Sequence, residues 1–295
     1  MAQEQERQRA TRRYRPTVII LGTYGLHVIA LCLVVWVPAA RMVVFWALLA
    51  NHLILTLAGL WPRSRVLGPN MVRVEDFSPD TVYLTFDDGP DPLVTPRVLD
   101  LLDAMNFKAT FFVKGEQALR FPDLVREIVL RGHGIANHSH HHAVTFAFQS
   151  IGGVAKELKV AQTAIGAACG RTPRYFRAPF GFRSPFLEPA LCRMGLDLVS
   201  WTRRGFDTRC RDSALILKRL LRGLKAGDIL LLHDIPLDEG DPSAEPIVLR
   251  VLPILLKELQ QASLRSEALP EWESLTIRGD SPHNQIGQTE KKFEE

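Results

Sequence analysis

Two apolar runs near the start of the chain constrain its fold more than any other feature. Residues 17–37 and 42–61 contain no charged side chain, and only the short segment Pro-Ala-Ala-Arg separates them. Each run is about 30 Å long as an α-helix, which is enough to cross the hydrocarbon core of a membrane. A cleaved signal peptide has a shorter apolar core and no second span. Residues 17–61 are therefore predicted to form a transmembrane helical hairpin; a pair of apolar helices docked on a soluble domain is the alternative.

Arginines on either side of the hairpin predict its orientation. Five lie in the basic segment 1–16, three follow closely after the second run, and the connecting turn contains only Arg41. Because positive charge is retained on the cytoplasmic side, the N-terminus and the part of the chain after the hairpin are expected on the inner face of a bacterial-type cell membrane, which the chain crosses twice. If only one run inserted, that part would lie outside. His27, Asn51 and His52 are expected to pair within the hairpin or to reach the interface, since isolated polar groups are costly in lipid.

Composition bounds the rest of the chain. With 295 residues and 46% hydrophobic content the chain can bury a full core, and residues 75–278 fit one domain of α/β-barrel size. The net charge of +4 is small and concentrated near the N-terminus, so no nucleic-acid partner is predicted. The cysteines form no close-spaced pair, which excludes a zinc knuckle and indicates no disulfide framework. Residues 279–295 are polar and are predicted to be a disordered tail.

Short β-branched or aromatic runs alternate with helical periods over the soluble part. Strands are predicted at residues 82–86, 109–113, 135–138, 174–177, 196–201 and 229–233. Helices are predicted at residues 95–105, 116–130, 153–168, 186–194, 213–224 and 247–262, the last kinked or split at Pro253. This alternation predicts an α/β fold in which helices surround a parallel sheet or barrel.

Two motifs supply candidate ligands for a metal ion. Thr-Phe-Asp-Asp-Gly-Pro ends the first strand with Asp87 and Asp88, and His-Ser-His-His-His follows fifty residues later. Neighbouring side chains on a strand point to opposite faces, so both carboxylates reach one site only if the strand ends there. One Asp and two His form a three-ligand set with an open position, and the second Asp is left as a base, which indicates metal-assisted hydrolysis. A spacing of four predicts that the rings of His138 and His142 share one face of a helical turn, although His141 can replace His142.

Further motifs follow in a characteristic order. They are Arg-Ala-Pro-Phe-Gly from Arg177, a strand ending at Trp201, then Asp207, and Leu-Leu-Leu-His-Asp ending at Asp234. Together with the first two motifs, they resemble the polysaccharide deacetylase family, also called the NodB-homology or carbohydrate esterase 4 family. The resemblance covers about residues 75–265. It implies a distorted (β/α) barrel of about seven strands that hydrolyses N-acetyl, sometimes O-acetyl, groups of sugars.

The resemblance also implies a role for each motif residue. The implied metal ligands are Asp88, His138 and His142. The implied catalytic residues are the base Asp87, its orienting partner Arg177, the proton donor His233 and the carboxylate that tunes it, Asp207. The implied oxyanion and substrate-binding residues are Phe180 through its N–H group, Pro179 and Trp201. Arg203 and Arg204 are added to this set as candidates from this sequence itself. Zn²⁺ suits an Asp-His-His set best, while Co²⁺, Fe²⁺, Ni²⁺ and Mn²⁺ remain open.

The segment after Trp201 departs from the family pattern, which usually has an Asp-rich stretch there. Arg203 and Arg204 stand in its place, either to bind a phosphate or another anion, or as solvated loop charges. With the hairpin, they suggest a membrane-anchored deacetylase whose carbohydrate substrate is linked to a lipid, with membrane lipid as a second partner. The alternatives are an outward-facing enzyme acting on peptidoglycan or exported polysaccharide, and a non-catalytic sugar-binding or scaffold protein.

Overall fold

A computed structural model of the chain describes residues 12–75, 78–236 and 245–270. The two apolar runs form helices α1 (Val18–Trp36) and α2 (Arg41–Leu60), which a short 3-10 turn connects. Both helices have the length and composition of membrane spans. A signal sequence and an apolar docking pair share these properties, so the helices are candidate spans. The predicted tail, residues 279–295, lies outside the described residues.

Polar side chains within the hairpin pair with one another, as predicted. The hydroxyl of Thr23 donates to the side-chain oxygen of Asn51 at 3.0 Å. The rings of His27 and His52 meet edge to face, with their centroids 5.2 Å apart. The Thr23–Asn51 hydrogen bond joins α1 to α2, while the rings of His27 and His52 bond to the carbonyl oxygens of Thr23 and Leu48 in their own helices. These hydrogen bonds reduce the cost of placing the polar groups in an apolar environment.

The described residues beyond the hairpin form a parallel, curled half-barrel. Its strands are β1 (Thr81–Asp87), β2 (Ala109–Val113), β3 (Gly134–Asn137), β4 (Tyr175–Phe176), β5 (Asp197–Leu198), β6 (Arg203–Arg204), β7 (Ile229–His233) and β8 (Arg265–Ser266). Their spatial order is β5-β4-β3-β2-β1-β7-β6, and β8 pairs with the beginning of β1. Seven strands thus form one continuous curved path, and the predicted α/β barrel is confirmed.

Helices cover the outer face of this sheet. They are α3 (Thr95–Ala104), α4 (Gly115–Arg120), α5 (Pro122–Leu130), α6 (Ile151–Cys169), α7 (Leu187–Met194), α8 (Ser213–Leu221) and α9 (Ile247–Gln261). The single helix predicted over residues 116–130 is wrong, because Phe121 leaves helical geometry before Pro122, which starts α5. A split at Pro253 is also wrong, since α9 runs through this residue.

The two faces of the sheet have different neighbours. Leu84 and Leu230 point outward into the main core, which packs under the helices, whereas Tyr83 and Leu231 point inward with Trp201. Strand β6 continues this alternation because Arg203 pairs in register with Leu230 and Arg204 with Leu231. Successive side chains of a strand point to opposite faces, so the two arginines lie on opposite sides of the sheet.

Candidate active site

The sequence motifs meet at the carboxyl ends of the strands, as predicted. Strand β1 ends at Asp87 and β7 at His233, while His138 directly follows β3 and Arg177 directly follows β4. Asp88 has a positive φ of 77°, which turns the chain out of β1. Both carboxylates of the Asp pair therefore face one site, and α/β barrels place their active sites at this end of the sheet.

Asp88, His138 and His142 form the candidate metal centre. Asp88 Oδ1 lies 3.7 Å from His138 Nε2 and 3.4 Å from His142 Nε2. Ligand atoms bonded at about 2.1 Å to a tetrahedral ion are separated by about 3.4 Å, so these distances fit one divalent cation. Asp88 Oδ1 is buried and accepts no hydrogen bond from a described residue. A cation would give this oxygen the partner that it lacks.

The surroundings keep both histidines suited to bind a metal. His138 Nδ1 lies 2.9 Å from the carbonyl oxygen of Arg177, so Nδ1–H donates there and the lone pair of Nε2 faces the candidate centre. Burial lowers the pKa of His138 well below its usual range and also lowers the pKa of His142. Neutral imidazoles result, which is the form that coordinates metals.

A turn, and not a helix, brings the two histidines together. Ser139 and His142 have positive φ values of 64° and 54°, and the Ser139 hydroxyl accepts a hydrogen bond from the His142 N–H at 3.1 Å. The predicted helical turn is therefore wrong, although the predicted pairing of the rings is correct. His141 is exposed and pairs with Glu157 at 2.8 Å, so it does not replace His142.

Asp87 is held by a buried arginine. Arg177 donates to Asp87 Oδ1 at 2.6 Å and to the hydroxyl of Thr85 at 2.9 Å. Its guanidinium also lies over the ring of Phe112, 3.9 Å from the centroid. Burial lowers the pKa of Arg177, and the charge of Asp87 opposes this effect. The arginine therefore fixes one carboxylate oxygen of Asp87, as predicted, and Oδ2 lies on the His138 side at 3.7 Å from Nε2.

His233 and Asp207 form a second buried pair. Asp207 accepts hydrogen bonds from the His233 N–H at 2.8 Å and from His233 Nδ1 at 2.9 Å. Burial alone would lower the pKa of His233, but the carboxylates of Asp207, Asp87 and Asp88 outweigh it and raise this pKa to about 9. His233 is thus protonated at neutral pH, and its Nε2 is the ring atom left to deliver a proton.

Phe180 lies in a strained turn beside the metal ligands. It is the second residue of the 3-10 turn Pro179–Gly181, has a φ of 57°, and its ring is 4.7 Å from that of His142. The N–H groups at the start of a helical turn have no acceptor within the turn, so the N–H of Phe180 is a suitable oxyanion donor. Trp201 is buried beneath this turn. Gly181 packs so closely on its ring that a Cβ at Gly181 would overlap the ring. It supports the site wall and is not an open substrate platform.

Arg203 and Arg204, which were predicted to act together, lie on opposite faces of the sheet. Arg203 donates to buried Asp228 at 3.1 Å and to the carbonyl oxygen of Gly223, before the start of β7. Its predicted place in the substrate-binding set is therefore wrong, because the register of β6 points it to the outer face. Arg204 points inward, and its guanidinium lies 5.2 Å from the Trp201 ring centroid and 5.0 Å from that of Phe206.

Sequence reasoning did not identify Asp234 as a support of the site. This buried carboxylate accepts from the Gly89 N–H at 3.2 Å and from the Thr95 hydroxyl at 2.6 Å. A Cβ at Gly89 would overlap it. Burial raises the pKa of Asp234 to about 7. The Asp234 carboxylate therefore holds the turn that follows Asp88. Its position directly after His233 was the one sequence feature that could have indicated this role.

The end of the hairpin also contacts the site. The Arg183 N–H donates to the Gly59 carbonyl at 3.0 Å, and a Cβ at Gly59 would overlap the Arg183 carbonyl oxygen. The Ser200 hydroxyl donates to the Pro62 carbonyl at 2.6 Å, and Pro62 also packs against Gly181. The C-terminal end of α2 is therefore part of the support of the turn that carries Phe180.

Comparison with known proteins places this site in a family. Residues 75–199 match the polysaccharide deacetylase family. A chitooligosaccharide deacetylase of Bradyrhizobium sp. (strain ANU 289) is 34% identical over 197 residues, which cover 65% of this chain and 90% of the relative. The chain belongs to the polysaccharide deacetylase family. Members of this family are metal-dependent hydrolases of carbon–nitrogen bonds, which confirms the predicted family and enzyme class.

Two further polysaccharide deacetylase relatives differ in how much of their length is matched. A peptidoglycan-N-acetylglucosamine deacetylase of Listeria monocytogenes is 35% identical over 154 residues, 52% of this chain and 32% of that protein. The solved family 4 carbohydrate esterase from Streptomyces lividans in complex with acetate is 30% identical with a TM-score of 0.58, over 65% of this chain and 93% of that one. Both matches cover only part of this chain.

The polysaccharide deacetylase fold does not by itself establish catalysis. The structure of a Bacillus anthracis protein described as a pseudoenzyme of the same carbohydrate esterase family aligns with a TM-score of 0.57 at 21% identity, over 66% of this chain and 69% of that one. Such a match shows the fold alone. Whether this chain is active therefore depends on its own site residues.

Proposed function

We propose that this protein is a metal-dependent deacetylase that removes N-acetyl groups from a carbohydrate. One observation carries the proposal: a metal-ligand set, a carboxylate fixed by an arginine and a protonated imidazole converge at the end of the barrel. Amide hydrolysis needs an activated water, a polarised carbonyl and a proton for the departing amine. The site contains a candidate for each requirement. The deacetylase relatives support a substrate related to chitooligosaccharide or peptidoglycan.

Each side chain then has a task in the reaction. A divalent cation bound by Asp88, His138 and His142, Zn²⁺ being our first choice, would act as a Lewis acid. Asp87 removes a proton from the attacking water, and the hydrogen bond from Arg177 keeps its carboxylate oriented. The N–H of Phe180 donates to the carbonyl oxygen as negative charge develops there. His233 donates its proton to the leaving nitrogen.

A lipid-linked sugar is the second candidate substrate, and a specific contact favours it. The end of α2 supports the turn that carries Phe180, so a hairpin inserted in a bilayer would hold the site next to the membrane surface. We propose on this basis that residues 17–61 anchor a catalytic domain over residues 75–278 at a bacterial-type cell membrane. The arginine distribution favours the cytoplasmic face, with a basic N-terminus over residues 1–16. A periplasmic domain acting on peptidoglycan is the alternative.

Acetate release by the purified full chain in detergent tests the function. The substrates are N-acetylglucosamine oligomers and a lipid-linked N-acetyl sugar. Asp87→Asn is expected to lower kcat by about 10²- to 10⁴-fold, as loss of a general base does, while the metal content stays at the wild-type level. Asp88→Asn is expected to lose the metal. Asp123→Asn, which changes an exposed carboxylate of α5, is the matched control.

The result also selects among the candidates. Release from the oligomers supports the first substrate class, and release from the lipid-linked sugar alone supports the second. If the metal-loaded protein releases acetate from neither, the proposed activity is wrong, and the sugar-binding or scaffold interpretation is favoured.

A further inference from the structure

Arg204 is a cation of the active-site wall that the reaction described above does not use. It pairs in register with Leu231 of β7, which in turn pairs with Thr85 of β1, the residue that contacts Arg177. Residues in register on parallel strands share a face of the sheet. Arg204 therefore lies on the inner face with Asp87, next to the site.

The guanidinium of Arg204 lies against two aromatic rings, and its Nε lacks a hydrogen-bond acceptor in the described part of the chain. It lies between the rings of Trp201 and Phe206, 5.2 and 5.0 Å from their centroids. Its Nε is buried and has no hydrogen-bond acceptor among the described residues. Neighbouring Arg203, in contrast, has the carboxylate of Asp228 and the Gly223 carbonyl as acceptors. A buried donor without an acceptor is costly, which indicates that Arg204 receives its acceptor from elsewhere.

The nearby carboxylates do not supply that acceptor. Burial lowers the pKa of Arg204, while the charges of Asp87 and Asp207 oppose this, so both carboxylates act on it through space. Asp87 already accepts from Arg177 at 2.6 Å, and Asp207 accepts two hydrogen bonds from His233. Each therefore has a closer cationic partner, and Arg204 remains an additional positive charge on the site wall.

We propose that Arg204 binds an oxyanion of the substrate, either a phosphate or a carboxylate carried by the acetylated sugar or by its neighbour. This inference rests on the proposed deacetylase function, whose substrate class it narrows to carbohydrates that carry an anionic group. A planar guanidinium binds phosphate or carboxylate oxygens through paired hydrogen bonds, and stacking between two rings orients it for this contact. Arg204 is thus a specificity residue, since the described chemistry of Asp87 and His233 does not require it.

Three matched substrates test the proposal in the metal-loaded full chain. They are the neutral methyl glycoside of N-acetylglucosamine, N-acetylglucosamine 1-phosphate, and N-acetylmuramic acid, which has a carboxylate. The wild type is expected to have a higher kcat/KM for at least one anionic substrate than for the neutral one. Arg204→Gln is expected to lower this preference by about 10- to 100-fold, the value of a charge-assisted hydrogen bond. Arg204→Lys is expected to restore part of it.

Arg203→Gln is the matched control, because it removes the neighbouring cation from the opposite face of the same strand. It is expected to leave the preference unchanged. If Arg203→Gln does not fold, the proposal is tested by the difference in substrate preference between Arg204→Gln and Arg204→Lys. A preference for the phosphate or for the carboxylate identifies the source of the oxyanion. Equal kcat/KM values of the wild type for all three substrates, or an unchanged preference in Arg204→Gln, would overturn the proposal.

A binding measurement separates this proposal from the deacetylase function. Calorimetric titration of the metal-loaded chain with inorganic phosphate requires no turnover. Weaker binding by about 10-fold or more in Arg204→Gln, but not in Arg203→Gln, supports the oxyanion site even if no substrate releases acetate. Equal affinity in wild type and Arg204→Gln shows that other groups hold the phosphate, and the proposal fails even if the enzyme is an active deacetylase.

Discussion

His233 depends on its acidic neighbours for its chemistry. Burial disfavours its charged form, and the carboxylates of Asp207, Asp87 and Asp88 together outweigh this effect, with Asp207 contributing most, so that its pKa is about 9. As a proton donor it works below this pKa, and activity is expected to fall as the pH rises through it. Asp207→Asn removes the compensating charge, so the alkaline limb of the pH–rate profile is expected to move down by about 1 to 3 pH units.

The pH dependence of kcat for acetate release checks this shift. Asp197→Asn is a suitable control, because Asp197 pairs with Arg174 at the edge strand β5. An alkaline limb that stays in place in Asp207→Asn would show that Asp207 does not set the protonation of His233.

That the candidate site residues lie close together could be predicted from the sequence, but their local geometry could not. Asp87 and Asp88 come at the end of an apolar strand before Gly-Pro, and this pattern places them correctly. A spacing of four between His138 and His142 fits a helical turn as well as the observed turn, whose positive φ angles leave no clear trace in the sequence. The supporting role of Asp234 was not predicted, because its position after His233 does not show that it contacts Gly89 and Thr95.

Helix α2 of the hairpin makes one close backbone contact with the segment that follows the Phe180 turn. Gly59 meets the backbone of Arg183 with no room for a side chain. Gly59→Ala is expected to push this segment away, lowering the free energy of unfolding by about 1 to 3 kcal/mol through overpacking. It is also expected to lower kcat by about 10- to 100-fold through displacement of Phe180, because small misplacements at a reacting centre are costly.

Thermal unfolding in detergent and acetate release measure the two effects. Gly22→Ala in α1 is the matched control, because its added methyl group meets no atom within 4 Å. Wild-type kcat in both variants would contradict a positioning role of the hairpin.

Elements with a strong pattern were predicted more accurately than short ones. Strand β7 was predicted with its observed bounds, because four consecutive apolar residues precede the motif histidine that ends it. Strands β6 and β8 consist of two polar residues each, so they contain no apolar run and were not predicted. For the same reason Arg203 and Arg204 could not be separated: their faces are set by pairing with β7. The break at Pro122 could have been found from the proline itself.

The arginine distribution predicts the orientation of the whole molecule in a membrane, and this prediction can be tested directly. With both ends of the hairpin cytoplasmic, alkaline phosphatase fused after Glu295 is expected to be inactive, and a fluorescent protein fused at the same position is expected to fluoresce. The control is a truncated fusion after Arg41, which would place each reporter on the opposite side. Active phosphatase after Glu295 would place the domain outside and favour a peptidoglycan substrate.

The contacts of Gly59 and Pro62 with the barrel have a kinetic consequence if α1 and α2 lie in a bilayer. The barrel cannot then swing freely on a tether, and the site stays at a fixed height above the lipid headgroups. Enzyme and lipid-linked substrate would meet by lateral diffusion, so the rate would depend on the substrate's surface density and not on its bulk concentration. Adding lipid or detergent at constant substrate would dilute this surface and slow the reaction, whereas a soluble oligosaccharide would be unaffected.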